Sequence, residues 1–229
     1  MQITPWQDGL NSNFLSFGET RVWSAALDLE NPEDFLPLLS EDEKSRAARL
    51  KSAPAARRQF VSRGILRVLL GCYLGAAPES LAFGISPHGK PFLTCPQNPP
   101  LAFNLAHSDG LLLVAIGGPE QVGIDVEKLD TAIDYSSIAG IMFCDEEQQN
   151  LSHSQTPIQD FYKLWTAKEA ILKASGKGFA YPSDTFCVVI SEEQVFIADY
   201  RAELAPGSSW SIASFSPASG YAAALAVLQ

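Results

Sequence analysis

The two longest apolar runs in this chain, Leu111–Ile116 and Tyr221–Leu228, have the length of single β-strands. A bilayer crossing takes about 20 apolar residues, so these runs build sheets in a folded core instead. The 229 residues suffice for one large domain or two small ones. Hydrophobic residues at 46% against charged residues at 18% exclude a disordered chain. Met1 to Leu10 carries neither a basic n-region nor an apolar h-region, so no signal peptide is expected and the chain reads as soluble and cytoplasmic.

Local signals divide the chain into helices and short strands. Arg21–Leu27 reads as a strand. Ser40 to Leu50 reads as a helix, with Ser40 and Glu43 spaced as a capping box. Pro54 opens a second helix that runs to about Leu74 and ends at Gly75. Leu81–Ile85, Phe92–Thr94, Phe103–His107 and Leu111–Ile116 read as strands, the last two joined through Ser108-Asp109-Gly110 as a hairpin. Gly117-Gly118-Pro119 is the best internal boundary, which gives a division at residues 1–118 and 119–229.

In the second half, Val122–Glu127 reads as a strand, and Tyr135–Phe143, the stretch after Asp145 and Gln159–Ser175 read as helices. Gly176 and Gly178 end the last of these. Strands return at Phe186–Ile190, Val195–Ala198, Trp210–Phe215 and Tyr221–Val227. Each half is therefore an antiparallel sheet with helices against it, an α+β fold.

The net charge of −10 argues against a nucleic-acid partner. Yet eight of the sixteen basic residues, among them Arg46, Arg58 and Arg63, lie between Lys44 and Arg67, with no acid from Lys44 to Pro78. Such a segment either holds a polyanion or forms a solvated helix face. Cys72, Cys95, Cys144 and Cys187 include no C-x-x-C pair, and their surroundings predict buried free thiols. Any metal chemistry must then use oxygen ligands.

Asp125 and Glu127 supply such ligands. In Gly123-Ile124-Asp125-Val126-Glu127 the period of two puts both carboxylates on one strand face, about 7 Å apart, with Ile124 and Val126 toward the core. At an effective dielectric near 20 the two charges repel by roughly 2 kcal/mol. A divalent cation reverses that sign, and hard oxygen ligands at this spacing suit Mg²⁺. A lone D-x-E is more often a solvent-facing strand edge.

On the long helix, Trp165, Glu169 and Lys173 share a face, with Lys168 on the neighbouring stripe. Glu169 can complete a metal site, and Lys173 can meet a phosphate oxygen. Taken alone, the pair is an ordinary i,i+4 contact. His107 ends a strand beside a polar turn, and Gly89-Lys90-Pro91 is a turn whose lysine either reaches a phosphate or is solvated.

In this order and at these separations, four segments resemble the larger, surfactin-synthetase-type class of 4′-phosphopantetheinyl transferases. They are Gly89-Lys90-Pro91, Phe103-Asn104-Leu105-Ala106-His107-Ser108, Gly123–Glu127 and Trp165–Lys173, followed by Gly176-Lys177-Gly178. The resemblance covers about Ser40 to Phe186. It implies a pseudo-dimer of two similar halves, with coenzyme A as co-substrate and Mg²⁺ (or Mn²⁺ in its place) bound in the cleft between them. Asp125, Glu127 and Glu169 match the metal ligands, and Glu169 also matches the base for a carrier serine, acting directly or through a metal-bound water. Lys173 matches the pyrophosphate-binding lysine. Arg46, Arg58, Lys90 and His107, with Pro91, Ala106 and Lys168 beside them, match coenzyme-binding positions. An apo acyl or peptidyl carrier protein is the implied partner, no membrane is involved, and the enzyme is expected to be a monomer.

Two departures from the family stand out. Ala106 replaces a frequent serine, and Gly140-Ile141-Met142-Phe143 lacks the basic residues usual before Phe-Phe. Contacts to the carrier, expected around Ile138–Phe143, are therefore more apolar here, with Phe143 inward and Ile141 or Met142 exposed. A nuclease would need a far larger basic face. A silent carrier-binding scaffold would have lost one of the three acids.

Overall fold

The computed structural model describes residues 3–11, 19–118, 120–178, 181–190, 195–197, 204 and 209–229. The first half contains β1 (Ile3–Pro5), β2 (Arg21–Ala26), α1 (Glu41–Ala48), α2 (Ala53–Leu74), β3 (Ala82–Ile85), β4 (Pro91–Cys95), β5 (Ala102–Ser108) and β6 (Leu111–Gly117). The second contains β7 (Gln121–Lys128), α3 (Tyr135–Met142), α4 (Asp145–Ser152), α5 (Pro157–Ser175), β8 (Val188–Ile190), β9 (Val195–Ile197), β10 (Trp210–Phe215) and β11 (Tyr221–Leu228). Pro119 and Ala198, which the sequence assigns to a boundary and a strand end, lie outside the described residues.

The helix ends follow their local chemistry. Ser40 Oγ accepts from the Glu43 amide while the Glu43 carboxylate accepts from the Ser40 amide, closing the capping box of α1. Gly75 stops α2 in the left-handed region at φ 59°, where a side chain would be strained. Strand β1, which pairs parallel to β2, was not legible in the sequence.

The two halves repeat one topology. One sheet has the order β1-β2-β6-β5, a second β7-β11-β10-β9-β8, and β3 and β4 pair as a separate two-stranded sheet. In each of the two larger sheets, the first strand of the shared pattern (β2 or β7) pairs antiparallel with the last (β6 or β11), which pairs with the one before it. A long helix, α2 or α5, separates that first strand from the closing hairpin. The fold is α+β and pseudo-dimeric.

Alternation along the strands makes three apolar layers. Leu112, Val114 and Ile116 face the cluster under α2, whereas Leu113 and Ala115 meet Ile124, Val126, Ala223 and Leu225 of the other sheet. Ala222, Ala224 and Ala226 turn to α5. These methyl-sized side chains, together with Gly123, let α5 approach the sheet closely. A Cβ at Gly123 would lie 2.0 Å from the Ala170 carbonyl oxygen and 2.4 Å from the Ala174 nitrogen, so only glycine fits. That contact sets α5 directly on β7.

The cysteine expectation is corrected. Cys144 and Cys187 form a disulfide, and Cys72 and Cys95 are free but exposed. Glu147 explains the pairing, because its carboxylate accepts from the amides of both Cys144 and Val188 and draws the two segments together. No helix among the described residues is long and apolar enough to cross a membrane.

Candidate active site

The register of β7 and the close seat of α5 bring three of the expected acids and one lysine together. Lys173 Nζ donates to Asp125 Oδ1 at 2.6 Å and to the Ile124 carbonyl at 3.3 Å. Asp125 and Glu169 are each 4% exposed, and Asp125 Oδ2 and Glu169 Oε1 are buried without a hydrogen-bond partner. Glu127 is less deeply placed, and its Oε2 accepts from Ser108 Oγ at 2.7 Å.

Burial pushes the Asp125 carboxyl up to about 6; Lys173 opposes the shift and Glu127 adds to it. Glu169 is pushed to about 7, by burial first and then by the charge of Asp125, again with Lys173 opposing. Carboxylates held this close to neutrality serve as proton acceptors or as ligands that lose a proton on binding a cation.

Among the described residues, no three of His, Cys, Asp and Glu enclose a metal position. The donor chemistry nevertheless fits a hard divalent cation: oxygen ligands alone, two of them buried and unpartnered. The unpartnered oxygens belong to Asp125 and Glu169, and Glu127 acts electrostatically on both.

The first half closes the site from the other side. Lys90 Nζ reaches across to donate to the carbonyls of Val122 (2.9 Å) and Lys173 (2.7 Å). Burial and the charge of Lys173 lower its pKa to about 8. Lys90 and Pro91 line a cavity of about 150 Å³ together with Glu169, Lys173 and Gly176. Two residues of β5, which sequence reasoning quoted but gave no role, tie the halves together. Asn104 Oδ1 accepts from the Ile124 amide at 2.8 Å, and Ser108 Oγ holds Glu127 and accepts from the Lys128 amide. Their signal was their even spacing with Ala106 on one strand face.

The remaining expected residues, Ala106, Lys168, Arg46, Arg58 and His107, do not line this cavity. Ala106 packs in the apolar layer between the sheets, so its side chain does not face the cavity. Lys168 is a correction: it lies 1% exposed, and its ammonium is consumed by both Glu147 carboxylate oxygens and the Phe186 carbonyl. Its neighbour on the sequence faces the site, but the 100° step between helical residues turns Lys168 toward α4.

Arg46 pairs with Asp42 one turn back on α1, at the surface. Arg58 is held by both oxygens of Asp28 and by Asp109. His107 lies on the α2-facing side of β5; local desolvation lowers its pKa, with Lys173, Arg58 and Arg63 acting in the same direction.

A family model described as the 4′-phosphopantetheinyl transferase superfamily matches residues 121–226, from β7 into β11. The chain is 34% identical over 214 residues to the 4′-phosphopantetheinyl transferase HetI of Nostoc sp., covering 91% of this chain and 87% of that one. It is 27% identical over 169 residues to the 4′-phosphopantetheinyl transferase Sfp of Bacillus subtilis, covering 73% of each chain. A solved holo-[acyl-carrier-protein] synthase from Neisseria meningitidis aligns with 48% of this chain and 97% of its own, at 21% identity and a TM-score of 0.42. The chain belongs to the 4′-phosphopantetheinyl transferase superfamily, in its larger, surfactin-synthetase-type class.

Proposed function

We propose that this transferase moves the 4′-phosphopantetheine group of coenzyme A to a serine of an apo acyl or peptidyl carrier protein, releasing 3′,5′-ADP. The observation that supports it most is the meeting, in one interhalf cavity, of Lys173, the buried unpartnered carboxylate of Glu169 and Lys90 from the opposite half.

The serine oxygen forms a bond to the pantetheine-side phosphorus as the bond from that phosphorus to 3′,5′-ADP breaks. Glu169, with a pKa near 7, accepts the serine proton. Lys173 neutralises charge developing on the leaving diphosphate oxygen, and Lys90 adds a second positive charge at the rim. Mg²⁺, or Mn²⁺ in its place, would be held by Asp125, Glu127 and Glu169 and would polarise the phosphate undergoing attack. Residues 1–118 supply the coenzyme-binding face, and 119–229 supply the metal ligands and the carrier contact. The enzyme works as a cytoplasmic monomer on this reading.

The test is incubation of the protein with coenzyme A and a panel of apo carriers, with Mg²⁺ or with chelator, read by intact mass. Metal-dependent addition of phosphopantetheine to at least one carrier is expected. Absence of addition across fatty-acid, polyketide and peptide carriers would overturn the proposal.

A further inference from the structure

Strand β7 stands at the edge of its sheet, with β11 on one side only. Its other edge carries backbone groups that need partners. Side chains supply them. Asn104 accepts from the Ile124 amide and Ser108 from the Lys128 amide, while Lys90 and Lys173 donate to the Val122 and Ile124 carbonyls. Of these four, Lys90, Lys173 and Asn104 also line the candidate active-site cavity, and Asn104 is the uncharged one.

Asn104 is 4% exposed. The Ile124 N–H can donate only to an acceptor, so it is the amide oxygen, Oδ1, that faces it at 2.8 Å. The side-chain amide is planar, and anchoring its oxygen aims its nitrogen. Nδ2 makes no hydrogen bond with any described residue. Yet it is not sealed off: the fully buried side-chain nitrogens and oxygens without a partner, among the described residues, are Asp125 Oδ2 and Glu169 Oε1. The two N–H donors of a nearly buried side chain therefore open into the space lined by Lys90, Glu169 and Lys173. An amide that commits its acceptor to the scaffold and leaves its donors to a cavity is arranged for a ligand oxygen.

We infer that Asn104 is a further catalytic residue, donating from Nδ2 to a non-bridging oxygen of the phosphate that is transferred; this rests on the reaction proposed above. The bond from serine oxygen to phosphorus forms, the bond to 3′,5′-ADP breaks and Glu169 takes the proton, so Asn104 neither gains nor loses one. Its part is that of a fixed dipole. Transition-state charge is spread over the non-bridging oxygens, where a donor held in advance needs no reorganisation. A neutral donor adds to the two lysines without repelling them, as a third cation would.

Asn104→Asp and Asn104→Ala separate the two ends of the amide. The first substitution keeps an oxygen for the Ile124 amide and loses the donor; the second loses both. Measured are kcat, the KM values for coenzyme A and an apo carrier, and the melting temperature, with Mg²⁺ present. Both variants are expected to lose about 100-fold in kcat with both KM values within about threefold, and only Asn104→Ala should melt earlier. Should Asn104→Ala fail to fold, Asn104→Asp still decides. A wild-type kcat in Asn104→Asp overturns the inference and leaves Asn104 as an anchor for β7. A loss carried by the coenzyme A KM overturns it as well, since repulsion by the new charge or ground-state binding alone gives that result. In either case carrier modification by wild type leaves the proposed reaction standing. A wild type that modifies no carrier overturns both.

Discussion

Lys173 Nζ lies 2.6 Å from Asp125 Oδ1, joining a helix residue to a strand residue 48 positions earlier. The pair is asymmetric: the aspartate is buried, whereas the lysine side chain keeps 27% of its surface exposed to the cavity. A cation that both anchors to the protein and faces the cavity can hold Asp125 ionised and still meet an incoming phosphate. Lys173→Ala is expected to lower kcat by about 100-fold or more. It should also destabilise the fold, by less than the about 3–5 kcal/mol of breaking a fully buried pair. Steady-state kinetics and denaturant unfolding check both parts.

Metal binding should depend on pH in a direction fixed by the two raised carboxyls. With Asp125 near 6 and Glu169 near 7, the unliganded protein holds protons at pH 6 that a cation must displace. Mn²⁺ affinity is therefore expected to rise about tenfold or more from pH 6 to pH 8. The linkage to stability has the opposite sign. Carboxyls whose folded pKa is raised stabilise the metal-free fold below their unfolded values, and that contribution is lost as pH climbs through 6 to 7. The metal-free melting temperature should fall over this range, and added Mg²⁺ should restore it at pH 8.

Glu169→Gln separates binding from chemistry. In the proposed mechanism it removes the proton acceptor and one metal oxygen but leaves Lys90, Lys173 and the arginines in place. Transfer should be abolished while coenzyme A affinity stays within about tenfold. It should also flatten the pH dependence of metal binding above pH 6.

On the proposed reading, the carrier meets α3, whose residues differ in exposure. Ile141 is 75% exposed on α3, whereas Phe143 is 1% exposed in the core. Met142 packs against the second-half core, and its carbonyl accepts from Ser183 Oγ. Ile141→Glu is thus the informative substitution, expected to raise the carrier KM about tenfold with the coenzyme A KM unchanged, because a charge would be desolvated in the contact. Unchanged carrier kinetics in a folded variant would put the docking surface elsewhere.

The disulfide makes its own prediction. Closing a 43-residue separation restricts the unfolded chain, so Cys144→Ser should cost about 4 kcal/mol in the loop-entropy model. Thiol labelling of the unfolded, unreduced protein should find two reactive cysteines, rising to four after reduction.

What was legible in the sequence follows from range. The capping box of Ser40 and Glu43, the stop at Gly75 and the hairpin through Asp109 are written within a few residues, where propensity and turn chemistry act. The shared face of Asp125 and Glu127 follows from strand period alone. Lys168 could not be read this way. Its partner Glu147 lies 21 residues away on another helix, and nothing in the local pattern separates a buried ion pair from a ligand contact. The same holds for Arg58, whose carboxylates come from a turn 30 residues earlier and from the β5–β6 hairpin. Side-chain pairing across the fold decides which of several basic residues remains available, and periodicity does not encode it.

The most direct test follows both products of a single reaction. Wild-type protein, coenzyme A, Mg²⁺ and an apo carrier that accepts the group should release 3′,5′-ADP in one-to-one ratio with the serine-linked phosphopantetheine detected on the carrier. Chelator or Glu169→Gln should stop both together. Release of 3′,5′-ADP without carrier modification, or modification that persists undiminished in chelator and in Glu169→Gln, would contradict the assigned reaction.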